Sequence, residues 1–386
     1  MALKCLSAIN YIYTKFIYYS LQFTINVIKF VKNNGKKVGM SKKVKIGNVI
    51  IGGGEKIAIQ TMSTNRICQL ETAIKEAQAF KNAGCDILRY SVLDELDASS
   101  FSQLKKHVDI PLVADIHFDY RLAIKSIDGG ADKIRINPGN IGGAQNVKMV
   151  ADALKSAKIP VRVGSNTGSI EKEFLYKYGK NEISLGESAL KNVAILEKYG
   201  VEDIVISVKA SSVPLMVKAY NYIAKKTDYP LHLGVTEAGT EYSGVIKNSI
   251  GIGSLLLNGI GDTIRVSLSS DPINEIKAGK SILSALNLRN SGVDIVACPT
   301  CGRCSWDCME FARQTEEYVL GATKPLKIAI MGCVVNGPGE AMDADLGVAG
   351  SKDGCVIFSH GKVYKKVDRE NLQAEFFGEI DKCLNR

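Results

Sequence analysis

Acidic residues are missing from the first 43 positions: Met1 to Lys43 holds eight lysines and no Asp or Glu. The formal net charge of +9 is almost wholly theirs, because taking those eight from the 49 basic side chains leaves 41 against 40 acidic ones. A nearly neutral body offers no local basic stripe of the kind that nucleic-acid binding needs. Also lacking is an uncharged apolar run near the roughly 18 residues of a spanning helix. Lys15 and Lys29 interrupt the Ile-, Tyr- and Phe-rich stretch NYIYTKFIYYSLQFTINVIKF, so no stable membrane span is expected. There is no clean apolar core with a small-residue cleavage site, as a secretory signal requires. Residues 1–39 read as a basic, apolar extension, best explained as upstream sequence with the true start at Met40. A surface helix or a targeting arm are the alternatives. With no secretory signal, a reducing cytoplasm is expected. The scattered Cys5, Cys68, Cys85, Cys355 and Cys383 then read as small core residues.

A dinucleotide fingerprint is missing too, since IGIGSLLLNG lacks the third glycine and does not follow a strand. What is present is a regular alternation. Eight β-rich runs recur: KIAIQTMS, CDILRYSV, PLVADIHF, KIRINPGN, PVRVGSN, DIVISVKA, LHLGVTEAG and DTIRVSLS. Amphipathic segments such as ETAIKEAQAFKNAG separate them, with one longer excursion between the fifth and sixth. Strands that each lead into a helical segment predict a (β/α)8 barrel, assigned to residues 40–285. A smaller α+β domain follows over residues 286–386. In it VDIVACPT and LKIAIMGCVV read as strands, SWDCMEFARQTEEYVLG as a helix, and GCVIFSHGKVYKKV as a hairpin before a closing helix.

In such a barrel the carboxyl ends of the strands line the active site. They supply Arg66, then Asp115 and His117, Arg135 and Asn137, Arg162 and Asn166, Lys209, Thr236 and Glu237, and finally Arg265 and Ser267. Four arginines and a lysine converging on one mouth point to a small, highly anionic ligand, because the guanidinium fork matches phosphate oxygens. The competing reading is a structural network in which each arginine pairs with a neighbouring carboxylate.

Cysteine is concentrated in CPTCGRCSWDC, from Cys298 to Cys308, with the C-x2-C-x2-C-x3-C spacing of ferredoxin cluster loops. Met309 stands where such loops carry proline, and no second run exists. Cys304 and Cys308, four apart at the start of a helical segment, share one face and can be core residues. A second reading joins Cys298 and Cys301 to Cys333 in MGCVVNGPGEA, with Glu340 just beyond. Three thiolates and a weaker carboxylate suit a [4Fe–4S] cluster, and a structural zinc is the alternative for any CxxC pair. A plain electron carrier, or a phosphate-ester-binding barrel with a zinc-stapled tail, are the rival functions.

The pieces VADIHFDYR, RINPGNIG, SVKAS, HLGVTEAG, GIGDTIRVSL, CPTC and GCVVNGPGEA together resemble the 4-hydroxy-3-methylbut-2-enyl diphosphate synthase (GcpE) family, over nearly everything from Val44 onward. The resemblance implies a TIM-type barrel joined to a sulfite-reductase-like cluster domain, in the bacterial two-domain form. It implies reductive ring opening of 2-C-methyl-D-erythritol 2,4-cyclodiphosphate, in the non-mevalonate isoprenoid route, with electrons from reduced ferredoxin or flavodoxin. It also implies a head-to-tail homodimer in which the cluster domain of one subunit caps the barrel of the other. Carried over residue by residue, the cluster ligands are Cys298, Cys301, Cys333 and Glu340. The substrate contacts are Arg66, Arg135, Asn137, Arg162, Asn166, Lys209, Thr236, Arg265 and Ser267, and Glu237 helps protonate the intermediate. Cys304 and Cys308 are outside that ligand set.

Overall fold

The computed structural model describes residues 40–289, 292–319, 321–322, 324–334, 339 and 341–385. The chain opens on a hairpin of β1 (Val44–Ile46) and β2 (Val49–Ile51), turned at Gly47 with φ +55°. Eight parallel strands follow: β3 (Ala58–Met62), β4 (Ile87–Ser91), β5 (Leu112–Asp115), β6 (Lys133–Ile136), β7 (Val161–Asn166), β8 (Ile204–Lys209), β9 (His232–Leu233) and β10 (Thr263–Ile264). β3 to β8 pair in sequence order, β10 pairs with both β3 and β9, and a parallel bridge from Ile206 to Leu231 closes the ring. Each predicted β-run contains one of these strands. The longer excursion holds two helices, Lys172–Tyr178 and Glu182–Lys198.

Local chemistry sets the helix ends. Asp94, Asp119 and Asp271 each accept a backbone N–H in the first turn of the helix they precede, which offsets the unpaired donors there. Asn181 and Ser184 form a reciprocal capping box. The helix Leu70–Ala83 ends where Gly84 turns left-handed at φ +103°.

The first hairpin, which the strand count did not include, decides which end of the barrel is open. Val44, Ile46 and Ile51 pack with Ala58, Ile87, Val113 and Val205, all at or near the starts of barrel strands. That apolar plug seals the amino end. The carboxyl end is left as the mouth, and the helices bury their apolar faces against the outside of the ring.

The second domain is a five-stranded sheet in sequential order: β11 (Val293–Ala297), β12 (Leu326–Met331), β13 (Leu346–Ser351), β14 (Gly354–Ser359) and β15 (Lys362–Val367). The first three strands are parallel and the last two antiparallel. β13 lies at the centre although its segment LGVAGS reads as glycine-rich loop. Gly347 in it faces the Phe358 ring, where a Cβ would fall 2.2 Å from the ring. The β14–β15 turn uses His360 and Gly361, both at positive φ, as a two-residue hairpin turn demands. The alternation of β12 separates two faces. Ile328 and Ile330 pack with the helices Cys308–Tyr318 and Leu372–Leu384, and Ala329 and Met331 face the other way with Val296 and Cys298. Among the described residues no helix is long and apolar enough to cross a membrane.

Candidate functional site

Barrels of this kind usually fill their interior with branched apolar side chains. This one places Gln60, Arg89, Lys133, Arg162, Ser207, Lys209 and His232 there, all buried. Cα register sets Asp115 of β5 beside Arg135 of β6, and Arg135 beside Arg162 of β7. Two glycines make the space. A Cβ on Gly164 would meet the Arg135 guanidinium at 3.1 Å, and one on Gly234 would meet the Lys209 Nζ at 3.1 Å.

The strand-end arginines are not equivalent. Arg66 donates to Asp94 and to both oxygens of Asp97, and its side chain stays 39% exposed. Arg265 donates to Glu275 through Nε at 3.3 Å and Nη2 at 3.1 Å. Arg135 donates to Asp115 at 3.1 Å, and Arg89 stands 3.7 Å from the same carboxylate. The competing network of arginine–carboxylate pairs is thus present at Arg66, Arg135 and Arg265. Asp115 is itself a strand end, whereas Asp94 and Asp97 at a helix start and Glu275 from the helix Pro272–Ala285 stand at positions that strand ends do not report.

Arg162 differs: it is 2% exposed, and its Nε and Nη1 are buried with no hydrogen-bond partner among the described residues. Burial first, then the neighbouring charges of Arg89 and Arg135, drive its pKa well down. Lys209 is depressed in the same way by burial and by Arg162 and Arg265. His232 is held neutral by burial and the same cations, with Nδ1 2.8 Å from the Thr263 hydroxyl. Apart from the Arg66 group, the carboxylates that Arg89, Lys133, Arg135, Arg162, Lys209 and Arg265 face among the described residues are Asp115 and Glu275. Buried Nε atoms of Arg89 and Arg135 also make no hydrogen bond among the described residues. An excess of desolvated cations with free donors is the complement of a polyanion.

Burial alone would raise the Asp115 pKa. Arg89 above all, with the His117 ring 3.7 Å away and the Arg135 and Arg162 guanidiniums nearby, more than offsets it and holds the carboxyl well below its usual range. A depressed acid stabilises the fold above its unfolded pKa, and that stability is lost as pH falls below about 4. Asp115→Asn is thus expected to melt lower than the parent at pH 7 and to show a smaller further loss between pH 5 and 3, read by thermal melting at each pH.

Glu275, 4% exposed, accepts from Thr61 at 2.8 Å and from the Leu268 N–H at 3.1 Å as well as from Arg265. Removing one partner of a buried ion pair costs about 3–5 kcal/mol. Glu275→Ala should therefore lower the melting temperature sharply while Asp271→Ala, an exposed cap, moves it little.

The remaining predicted residues ring the rim. Asn137 is buried, its Oδ1 accepting from the Gly139 N–H at 3.1 Å. Asn166 begins a turn in which its N–H and carbonyl both engage the Ser169 hydroxyl. Thr236 and Ser267 are half-buried, and Glu237 is exposed in the left-handed region at φ +52°. Strain of about 1–3 kcal/mol at such a residue is a feature of functional loops.

In the second domain Cys298 follows β11 and Cys333 lies two residues beyond β12, so both stand at the ends of neighbouring parallel strands. Cys298 and Cys333 are half-buried and Cys301 is exposed. Cys308 is buried and Cys304 packs beside it against the helix-side core. The cysteine run is thus split between the two faces of the sheet. Among the described residues no three His, Cys, Asp or Glu side chains form a ready metal-holding group, and Glu340 lies outside the described residues. By ligand type the reachable thiols of Cys298, Cys301 and Cys333 fit an iron–sulfur group.

A GcpE TIM-barrel domain matches residues 41–280, and a GcpE protein C-terminal domain matches residues 294–382. The chain belongs to the GcpE family. It is 54% identical over 346 residues to the 4-hydroxy-3-methylbut-2-en-1-yl diphosphate synthase (flavodoxin) of Caldanaerobacter subterraneus subsp. tengcongensis, covering 89% of this chain and 98% of that one. The proteins of the same name from Ruminiclostridium cellulolyticum and Clostridium perfringens are 48% and 49% identical, each over 98% of its length.

This GcpE barrel also contains groups that the strand-end reading missed, namely Arg89, Lys133, His232 and Glu275. Arg89 and Lys133 had a signal. Arg89 is the one cation of the barrel strand ILRYS and Lys133 one of two in KIRI, where a buried strand has no solvent face to offer them. Glu275 had none beyond its place one turn into a helix.

Proposed function

We propose that this GcpE protein is the reductive dehydratase of its relatives' name, converting 2-C-methyl-D-erythritol 2,4-cyclodiphosphate to (E)-4-hydroxy-3-methylbut-2-enyl diphosphate in the cytoplasm. The observation that carries the proposal is the barrel interior: six mutually repelling cations against two carboxylates, with Arg162 donors left unpaired. A cyclic diphosphate supplies the missing negative charge in a compact form. Arg135, Arg162, Lys209 and Arg265 take the phosphate oxygens. Arg66, Asn137, Asn166, Thr236 and Ser267 orient the ring and its hydroxyls from the rim. Arg66, already neutralised by two aspartates, contributes hydrogen-bond geometry more than charge.

Glu237, exposed on the loop after β9 with its backbone at φ +52°, is assigned the delivery of a proton to the oxygen leaving as water. Cys298, Cys301, Cys333 and Glu340 would hold a [4Fe–4S] cluster, which would supply electrons from reduced flavodoxin or ferredoxin. The barrel itself carries cations and a proton donor but no electron source, so the reading requires a cluster domain at the mouth, in a homodimer that of the second subunit.

Two measurements test this. Anaerobic protein with an intact cluster and a chemical reductant should turn over the cyclodiphosphate, and failure to form product rejects the activity. Mixing inactive Arg162→Met and Cys333→Ser proteins should restore turnover through hybrid dimers. No restoration after verified subunit exchange would reject the shared site.

A further inference from the structure

The half of the cysteine run that the proposed ligand set leaves over has a geometry of its own. Cys304 Sγ lies 3.6 Å from Cys308 Sγ. The Cys304 thiol also sits 3.1 Å from the Trp306 carbonyl, which accepts its S–H. Cys308 is 2% exposed and opens the helix Cys308–Tyr318, where Asp307 caps the first turn. Cys304 is half-buried and precedes the helix. One thiol is therefore reachable and held by a loop, and the other is enclosed and held by a helix.

The surroundings keep the pair together. A Cβ on Gly332 would fall 2.8 Å from Cys304 Sγ and 3.6 Å from Cys308 Sγ, so only glycine leaves the two sulfurs room beside the end of β12. Trp306, between them in sequence, donates from Nε1 to the Met331 carbonyl at 3.2 Å and packs on Phe311 at 5.3 Å. Both ends of the short Cys304–Cys308 segment are thus pinned to the same strand end and core. Closing the pair to a bond of about 2.05 Å needs a movement of about 1.5 Å, which the non-helical Cys304 can make.

We propose that Cys304 and Cys308 form a redox-active dithiol that closes to a disulfide when the protein meets peroxide. The half-buried Cys304 sulfur gives up its proton and attacks one peroxide oxygen, breaking the O–O bond and releasing water, and becomes a sulfenic acid. Cys308 sulfur then attacks the Cys304 sulfur, expels the hydroxyl as a second water, and the S–S bond forms. Two thiols lose two electrons and two protons, and the peroxide takes up both. Because the sulfur that resolves the sulfenic acid is already in contact, Cys304 is stopped before irreversible oxidation.

The test uses anaerobically purified holoenzyme titrated with hydrogen peroxide, quenched with a thiol alkylator and cut with trypsin. Cleavage after Arg303 and Arg313 leaves both cysteines in one peptide, CSWDCMEFAR. That peptide is expected unlabelled and lighter by two hydrogen atoms than the dithiol, and to regain both labels after reduction. In Cys308→Ser the same treatment should leave Cys304 one oxygen heavier, or as a glutathione adduct when glutathione is added. The proposal is overturned if the wild-type peptide stays doubly alkylated at peroxide levels that bleach the cluster, or if Cys304 is recovered joined to a different cysteine. The wild-type measurement does not depend on a variant folding.

Discussion

Replacing Arg162 by methionine is expected to raise the melting temperature of the ligand-free protein while cutting kcat/KM at least about a hundredfold. The two effects have one cause. Arg162 is wholly enclosed among Arg89, Arg135 and Lys209, and two of its donors have no partner among the described residues. Taking an ion out of water costs several kcal/mol, and replacing such a group by an apolar one of similar volume stabilises by about 1–4 kcal/mol in favourable cases. At about 2–4 °C per kcal/mol for a domain of this size, a rise of several degrees is measurable by calorimetry. The free enzyme bears that cost because a diphosphate relieves it. Two charge-assisted hydrogen bonds at about 1.5–3 kcal/mol each correspond to a hundredfold or more in kcat/KM. Adding the cyclodiphosphate should then raise the parent's melting temperature much more than the variant's. A variant that melts lower than the parent, and is stabilised equally by substrate, would refute the assignment of Arg162 as the central anion hand.

Cys333→Ser and Cys308→Ser should part company completely. Purified without oxygen, Cys333→Ser is expected colourless and nearly iron-free, because one of the three proposed thiolate ligands is gone. Cys308→Ser is expected to keep about four irons per chain, the full complement of a cubane, and the same visible spectrum. Its melting temperature should fall instead, since a hydroxyl replaces a sulfur in the core formed with Phe311, Ile328 and Phe376; an unpaired buried hydroxyl costs about 1–3 kcal/mol. Iron content and melting temperature therefore report different roles for two cysteines of one domain. Loss of iron from Cys308→Ser with retention in Cys333→Ser would restore the local four-cysteine reading of CPTCGRCSWDC.

The barrel was legible because its physics is periodic. Strands buried on both faces leave short apolar runs, helices leave amphipathic ones, and eight such alternations admit few other folds. The hairpin that plugs the floor was not counted, since VKIGNVI has no helix after it and joins no barrel strand. In the second domain β13 was missed because LGVAGS looks like a loop; its glycines are there to admit Phe358 from the neighbouring strand and Trp306 from far earlier in sequence.

The site divides along the same line. By itself the sequence determined which residue types stand at the carboxyl ends of the strands, that they are mostly cations, and that two cysteine groups lie beyond the barrel. Tertiary structure alone decided how those charges are matched. Arg66, Arg135 and Arg265 acquire carboxylates from Asp94, Asp97, Asp115 and Glu275, and among the described residues Arg162 acquires none. The reason is that an ion's free energy depends on its partners and its dielectric surroundings, and both are supplied by other strands and helices of the folded barrel. The spacing of CPTCGRCSWDC likewise permitted one four-thiol loop; the sheet passes between its halves, leaving Cys298 on one face and Cys304 with Cys308 on the other.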